Sequence, residues 1–220
     1  MRYLGQDKLI WLLKLFFPLL TFAIGAECCA FDWPLSPEAV REAYFFGQSS
    51  DRAKVAEFLG QYERVFQLRD RDSFVGRIEL HTPYQRVVQR ARETASIYSA
   101  QQAQIDYASQ SDILRVRVFV YLGAGGPAPS DIYSDSHGHI RDRRENFWRG
   151  FQFRITQEHL IEPKKILGEP LYRRRGHGLS GAEVDLELDA SEFTPSEMVI
   201  QVISPDHRIV TTQFDLARLK

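Results

Sequence analysis

Cysteine is nearly missing from this 220-residue chain: there are two, Cys28 and Cys29, and they are adjacent. Neighbouring cysteines bond to each other only through a strained ring, because their spacing departs from ordinary disulfide geometry. From residue 31 onward there is none. That excludes a disulfide framework, a CxxC redox pair and a thiolate metal cluster from the body of the protein. A body of about 190 residues buries enough apolar surface to fold without such staples. A strong charge of either sign is also lacking, since 28 Lys and Arg stand against 29 Asp and Glu for a net charge of -1. No whole-molecule field therefore draws nucleic acid or an acidic membrane surface. Internal repeats at solenoid period are absent.

Long apolar runs are scarce too, with one exception at the start. Arg2, Lys8 and Lys14 precede an apolar stretch from Leu15 to Ile24, and the small residues Gly25, Ala26 and Ala30 follow. A basic segment, a short apolar core and a small-residue exit are the parts of a secretory signal peptide. A spanning helix needs roughly 20 apolar residues, whereas Lys14 and Pro18 interrupt this stretch. Glu27 just before Cys28 is wrong for a lipoprotein signal, which takes a small residue there. Cleavage after Ala30 removes both cysteines, and cleavage after Ala26 keeps them. The chain is therefore read as exported, to a periplasmic or extracellular location, with no membrane span after cleavage.

The remainder divides at a change of period. Residues 31–110 read as helical with one short strand, and residues 111–220 as an antiparallel β-sandwich. Ser36 caps a first helix with Pro37 at its first position, and Ser50 or Asp51 caps a second that stops near Gly60, giving a helical hairpin. Val75 to Leu80 alternates as a strand. Thr82 and Pro83 then open what reads as one long helix to about Ser109, with Tyr84, Val88, Ala91, Ala95, Tyr98, Gln102 and Ile105 forming one stripe. From Asp112 the period becomes two: Leu114, Val116, Val118 and Val120 alternate with Arg115, Arg117, Phe119 and Tyr121. Phe151, Phe153 and Ile155 repeat the pattern, as do Val184, Leu186 and Leu188, and a Ser204–His207 turn joins the last two strands. Strands linked by short turns, with no long helix between them, indicate antiparallel pairing. The expected fold is α+β: a helical hairpin and one long helix, then an antiparallel sandwich, immunoglobulin-like or similar, with the 75–80 strand joining its sheet.

Four stretches are candidates for chemistry. Asp135, His137 and His139 offer oxygen and imidazole donors at metal-ligand spacing, although a third or fourth fixed ligand is not identifiable. Arg173, Arg174 and Arg175 suit carboxylate or phosphate, yet they sit among acidic residues that offset them. Trp148 lies beside Phe147 and Phe151 and is expected on the outside, where with Tyr121 it would serve surface recognition. Gly178-Leu-Ser180-Gly-Ala182 nearly matches a nucleophile elbow, but an arginine loop precedes it and a strand follows, which is the wrong setting. His81, His159 and His207 read as isolated. No nucleophile–base pair stands out, so the expectation is a non-catalytic binding or structural module without cofactor. Its partner would be a protein, peptide or glycan rather than nucleic acid. The alternative is a metal-binding protein or metal-assisted hydrolase centred on His137 and His139.

Overall fold

Each helix begins where a side-chain oxygen can take an otherwise orphaned backbone N–H. Ser36 accepts from Ala39 at the start of α1 (Pro37–Gly47), and Asp51 accepts from Lys54 at the start of α2 (Arg52–Gly60). Thr82 accepts from Gln85 to open α3 (Pro83–Glu93), and Ser99 accepts from Gln102 to open α4 (Ala100–Ala108). The computed structural model describes residues 31, 33–68, 74–94, 97–110, 113–122, 132–134, 140–142, 145–173 and 179–220. The segment 1–30, and with it the signal reading and both cysteines, lies outside the described residues.

The single long helix expected over 82–109 is two helices. Thr94 donates its hydroxyl to the Arg90 carbonyl at 2.6 Å and ends α3 in a non-helical conformation (φ -116°, ψ 32°). Ser99 then restarts the ladder as an N-cap. Thr and Ser bond backbone groups locally in this way, which is why they punctuate helices. The break also rotates the stripe. Tyr84, Val88 and Ala91 are buried as anticipated, but in α4 the buried residue is Ala103, while Gln102 and Ile105 are exposed.

α1 and α3 lie against each other through Val40, Ala43 and Gly47 on one side and Tyr84, Val88 and Ala91 on the other. The approach is close: a Cβ at Gly47 would sit 2.4 Å from the Val88 carbonyl oxygen. Together with Val55, Tyr98 and Ala103 these side chains form a small helical core of their own.

Eleven strands are described. A five-stranded antiparallel sheet runs β1 (Glu63–Val65), β2 (Val75–His81), β3 (Ile113–Tyr121), β9 (Leu179–Asp189) and β8 (Lys165–Tyr172). β2 thus joins the sheet of β3, as its alternation suggested. A four-stranded antiparallel sheet runs β11 (Ile209–Asp215), β10 (Glu197–Ile203), β6 (Gln152–Thr156) and β7 (Leu160–Ile161). β4 (Ile132–Ser134) and β5 (Ile140–Asp142) pair separately. The fold is α+β with two antiparallel sheets of nine strands in all. Val116, Val118 and Leu186 of the larger sheet and Ile155, Ile200 and Phe214 of the smaller belong to one contiguous buried cluster. Among the described residues no helix is long and apolar enough to cross a membrane.

Candidate functional site: the clefts flanking helix α3

Strict alternation on β3 gives its two faces opposite characters. Leu114, Val116, Val118 and Val120 are fully buried, which leaves Arg115, Arg117 and Phe119 on the outer face. On that face they stand in register with Glu187, Asp185 and Glu183 of β9, and with His81, Glu79 and Arg77 of β2. Opposite charges directly across a strand pair stabilise the sheet. Arg117 forks onto Asp185 (Nε–Oδ1 2.8 Å, Nη2–Oδ2 3.0 Å), and its Nε is 2.8 Å from Glu183 Oε1. The Asp185 hydrogen bonds, with the acidic charges around them, raise the Arg117 pKa. Arg115 Nη2 donates to Glu187 Oε1 at 3.1 Å, and the Arg77 guanidinium lies 4.0 Å over the Phe119 ring. Burial, with Asp185, Glu169 and Glu79 close by, lifts the Glu183 carboxyl above the ordinary glutamate range despite Arg117.

At the end of β2 the chain turns through Thr82 into α3, and an unbroken line of side chains follows. His81 Nε2 is 3.2 Å from Glu79 Oε2, and His81 Nδ1 is 3.2 Å from Gln85 Oε1. Gln85 Nε2 donates to Gln89 Oε1 at 2.9 Å, and Gln89 Nε2 donates to Glu93 Oε1 at 2.9 Å. Residues 81, 85, 89 and 93 are four apart, so they follow one line along the helix surface. The outer end of the line sets its direction. A carboxylate only accepts, so Gln89 turns its amide nitrogen to Glu93 and its oxygen to Gln85, and Gln85 in turn presents its oxygen to His81. His81 Nδ1 is therefore a donor. Its Nε2 faces the Glu79 carboxylate. His81 and Gln85 are buried (8% and 4% exposed), and Glu93 is exposed. Burial works against the Glu79 charge, but the bond from His81 and the charges of Arg77, His81 and Arg117 outweigh it and hold this carboxyl below the ordinary range.

α3 separates two clefts. The larger, about 670 Å³, lies between α3, α4 and β3, and the smaller, about 380 Å³, opens toward β1 and the end of α2. His81, Gln89 and Glu93 line both. The charged lining of the larger cleft is Arg86, Arg90, Arg115 and Arg117 against Glu93 and Asp106. Arg90 Nη2 is 3.2 Å from Asp106 Oδ2 and its guanidinium is 5.4 Å over the Tyr98 ring. Burial and the adjoining Asp106 push the Tyr98 hydroxyl up to about 12. Arg86 is half-buried and donates to the Ile113 carbonyl (3.2 Å), the Gln110 carbonyl (3.5 Å) and the Gln110 side chain. Burial and then the positive charge of Arg115 lower the Arg86 pKa; Arg90 adds to this and Glu187 opposes it.

Of the candidate residues singled out in the sequence, the described ones, Tyr121, Trp148, Arg173 and Ser180, line neither cleft. Asp135, His137 and His139, together with Arg174 and Arg175, lie outside the described residues. Arg173 is exposed just past β8. Trp148 corrects the expectation of an outward aromatic: it is 7% exposed, in the 3-10 turn Phe147–Gly150. Gly168 of β8 makes this possible, since a Cβ there would lie 2.1 Å from Trp148 Cε2. Tyr121 is half-buried, its ring against Gly76 and Gly181. Ser180 lies inside β9 and donates to the Leu171 carbonyl at 2.8 Å, with none of the strand-to-helix turn a nucleophile elbow needs. His81, isolated in sequence, is the centre of the Glu79–Glu93 line. The available signal was the four-residue spacing of His81, Gln85, Gln89 and Glu93 immediately after a strand.

Among the described residues no group of three His, Cys, Asp or Glu side chains is arranged to hold a metal. Against protein-family models, curated proteins and solved structures alike, the chain finds no match.

Proposed function

We propose that this protein is an exported, non-catalytic binding module whose ligand sits in the larger cleft, between α3, α4 and the outer face of β3. The observation that carries the reading is the cleft itself. It is a concavity of about 670 Å³, within the size range of small-molecule sites, with charged side chains held in place by cross-strand partners. Export rests on the basic, apolar and small-residue succession of the first thirty residues. The shared core of the two antiparallel sheets supports treating the body as a β-sandwich of immunoglobulin-like kind.

Native mass spectrometry of the full chain, expressed with its first thirty residues and recovered from the exported fraction, tests this. A small molecule should co-purify, and Ser109→Trp, at an exposed residue of the cleft rim, should abolish it. Retention of the same molecule by Ser109→Trp would place the site elsewhere. N-terminal sequencing of the same material should begin near residue 27 or 31; an intact Met1 in an exported form would contradict the cleavage. The second reading, a metal held by Asp135, His137 and His139, has its support in the sequence alone. Zinc bound one to one after dialysis, and lost in His137→Ala, would favour it.

A further inference from the structure

We infer that the larger cleft takes a small molecule by an oxyanion group, a carboxylate or a phosphate, with Arg86 as the anchor. This rests on the reading that the cleft is the ligand site. Arg86 is a half-buried cation, and its partners among the described residues are neutral oxygens: the carbonyls of Gln110 and Ile113 and the Gln110 side chain. Arg115 and Arg90 are close enough to act on it electrostatically, and Glu187 acts on it in the opposite sense. Arg115 and Arg90 are already paired with Glu187 and Asp106, whereas Arg86 meets only neutral oxygens among the described residues, so an anion entering the cleft would be the first charged group to bond it.

The arrangement around Arg86 fits that role. The carboxylates that orient Arg115 and Arg117 are those of β9, Glu183, Asp185 and Glu187, and none of the three lines the cleft. They brace the two arginines from the neighbouring strand, leaving Glu93 and Asp106 as the cleft's own acids against four arginines. Asp106 is engaged with Arg90. Arg115 Nε is buried and makes no hydrogen bond among the described residues, with Asp185 Oδ2 3.9 Å away. Guanidinium forks match carboxylate and phosphate oxygens two at a time, which an ammonium does not. The simpler role for Arg86 is a tie between α3 and the chain entering β3, and an anion-binding measurement separates the two.

Isothermal titration of the full chain with citrate and, separately, with inorganic pyrophosphate at low ionic strength is the test. At least one should bind saturably at one site, and more weakly as sodium chloride is raised. Citrate alone identifies a carboxylate ligand, and pyrophosphate alone a phosphate. Arg86→Gln should weaken binding roughly tenfold or more, and Arg86→Lys, which keeps the charge but loses the fork, by less. Arg90→Gln serves if Arg86→Gln fails to fold, because the Arg90 side chain is 58% exposed; it too should weaken binding. Arg218→Gln, at a side chain 85% exposed beside Asp215, should change nothing. Saturation by neither anion overturns the inference, as does unchanged affinity in both Arg86→Gln and Arg90→Gln. If neither anion binds while Ser109→Trp still abolishes a co-purified neutral molecule, the oxyanion claim fails and the cleft reading stands.

Discussion

Trp148 and Gly168 behave as one packing unit although twenty positions separate them in the chain. The indole occupies the space a side chain on β8 would need, so Gly168→Ala forces the ring or the strand to move. Overpacking of this kind costs about 1–3 kcal/mol. The urea midpoint of Gly168→Ala, followed by tryptophan fluorescence, should fall accordingly; an unchanged midpoint would mean the ring does not rest on the glycine. The pairing also explains why Trp148 misled. Its neighbours Phe147, Arg149 and Phe151 are visible in sequence, whereas the missing Cβ that admits it belongs to β8. His81 was hidden for a related reason. Its partners come from both sides, Glu79 on the strand and Gln85 on the helix, and the four-residue spacing that runs from it to Glu93 starts on the last residue of a strand, where a helical period is not looked for.

At the scale of elements, the seam between α1 and α3 depends on small residues. Replacing Gly47 by alanine favours the isolated helix by up to about 1 kcal/mol. The new methyl, however, would lie 2.4 Å from the Val88 carbonyl oxygen and 2.9 Å from Ala91 Cβ. Overpacking against backbone should win, giving a net loss of about 1 kcal/mol or more. A lowered thermal midpoint for Gly47→Ala checks this, and a raised one would show that propensity dominates. The strands were the legible elements: in β3 and β9 period two separates fully buried Leu114, Val116, Val184 and Leu186 from the charged outer row. The division of 82–109 into two helices was not legible from the stripe, because hydrophobic spacing continues past Thr94. What interrupts it is hydroxyl chemistry at Thr94 and Ser99. The cleft depends on that division, since α4 supplies Asp106 and Tyr107 to one wall.

For the molecule as a whole, the charge network makes stability depend on acid. Glu79 and Asp189 are held below their ordinary values, Asp189 at about 2 by Lys164 and Ser191. Groups depressed on folding contribute stability above their unfolded values, and that contribution is lost as pH falls through the folded ones. Glu183 has the opposite sign. Its folded value is raised, so its contribution is present at low pH and lost as pH rises through that value. The two depressed groups should prevail, and the urea midpoint should fall between about pH 5 and about pH 2. Glu79→Gln should flatten part of that fall, while Glu183→Gln should steepen it; a midpoint that stays level or rises on acidification would contradict the network.

The larger cleft as binding site is the claim on which the rest turns, and a chemical-shift titration of the ¹⁵N-labelled full chain with pyrophosphate or citrate addresses it most directly. The account predicts saturable shifts concentrated in α3, α4 and the first half of β3, including the Arg86 and Arg115 side-chain Nε–H signals. Saturable shifts that gather instead on β10 and β11 would contradict it, whereas no shifts with either anion would overturn the oxyanion inference alone.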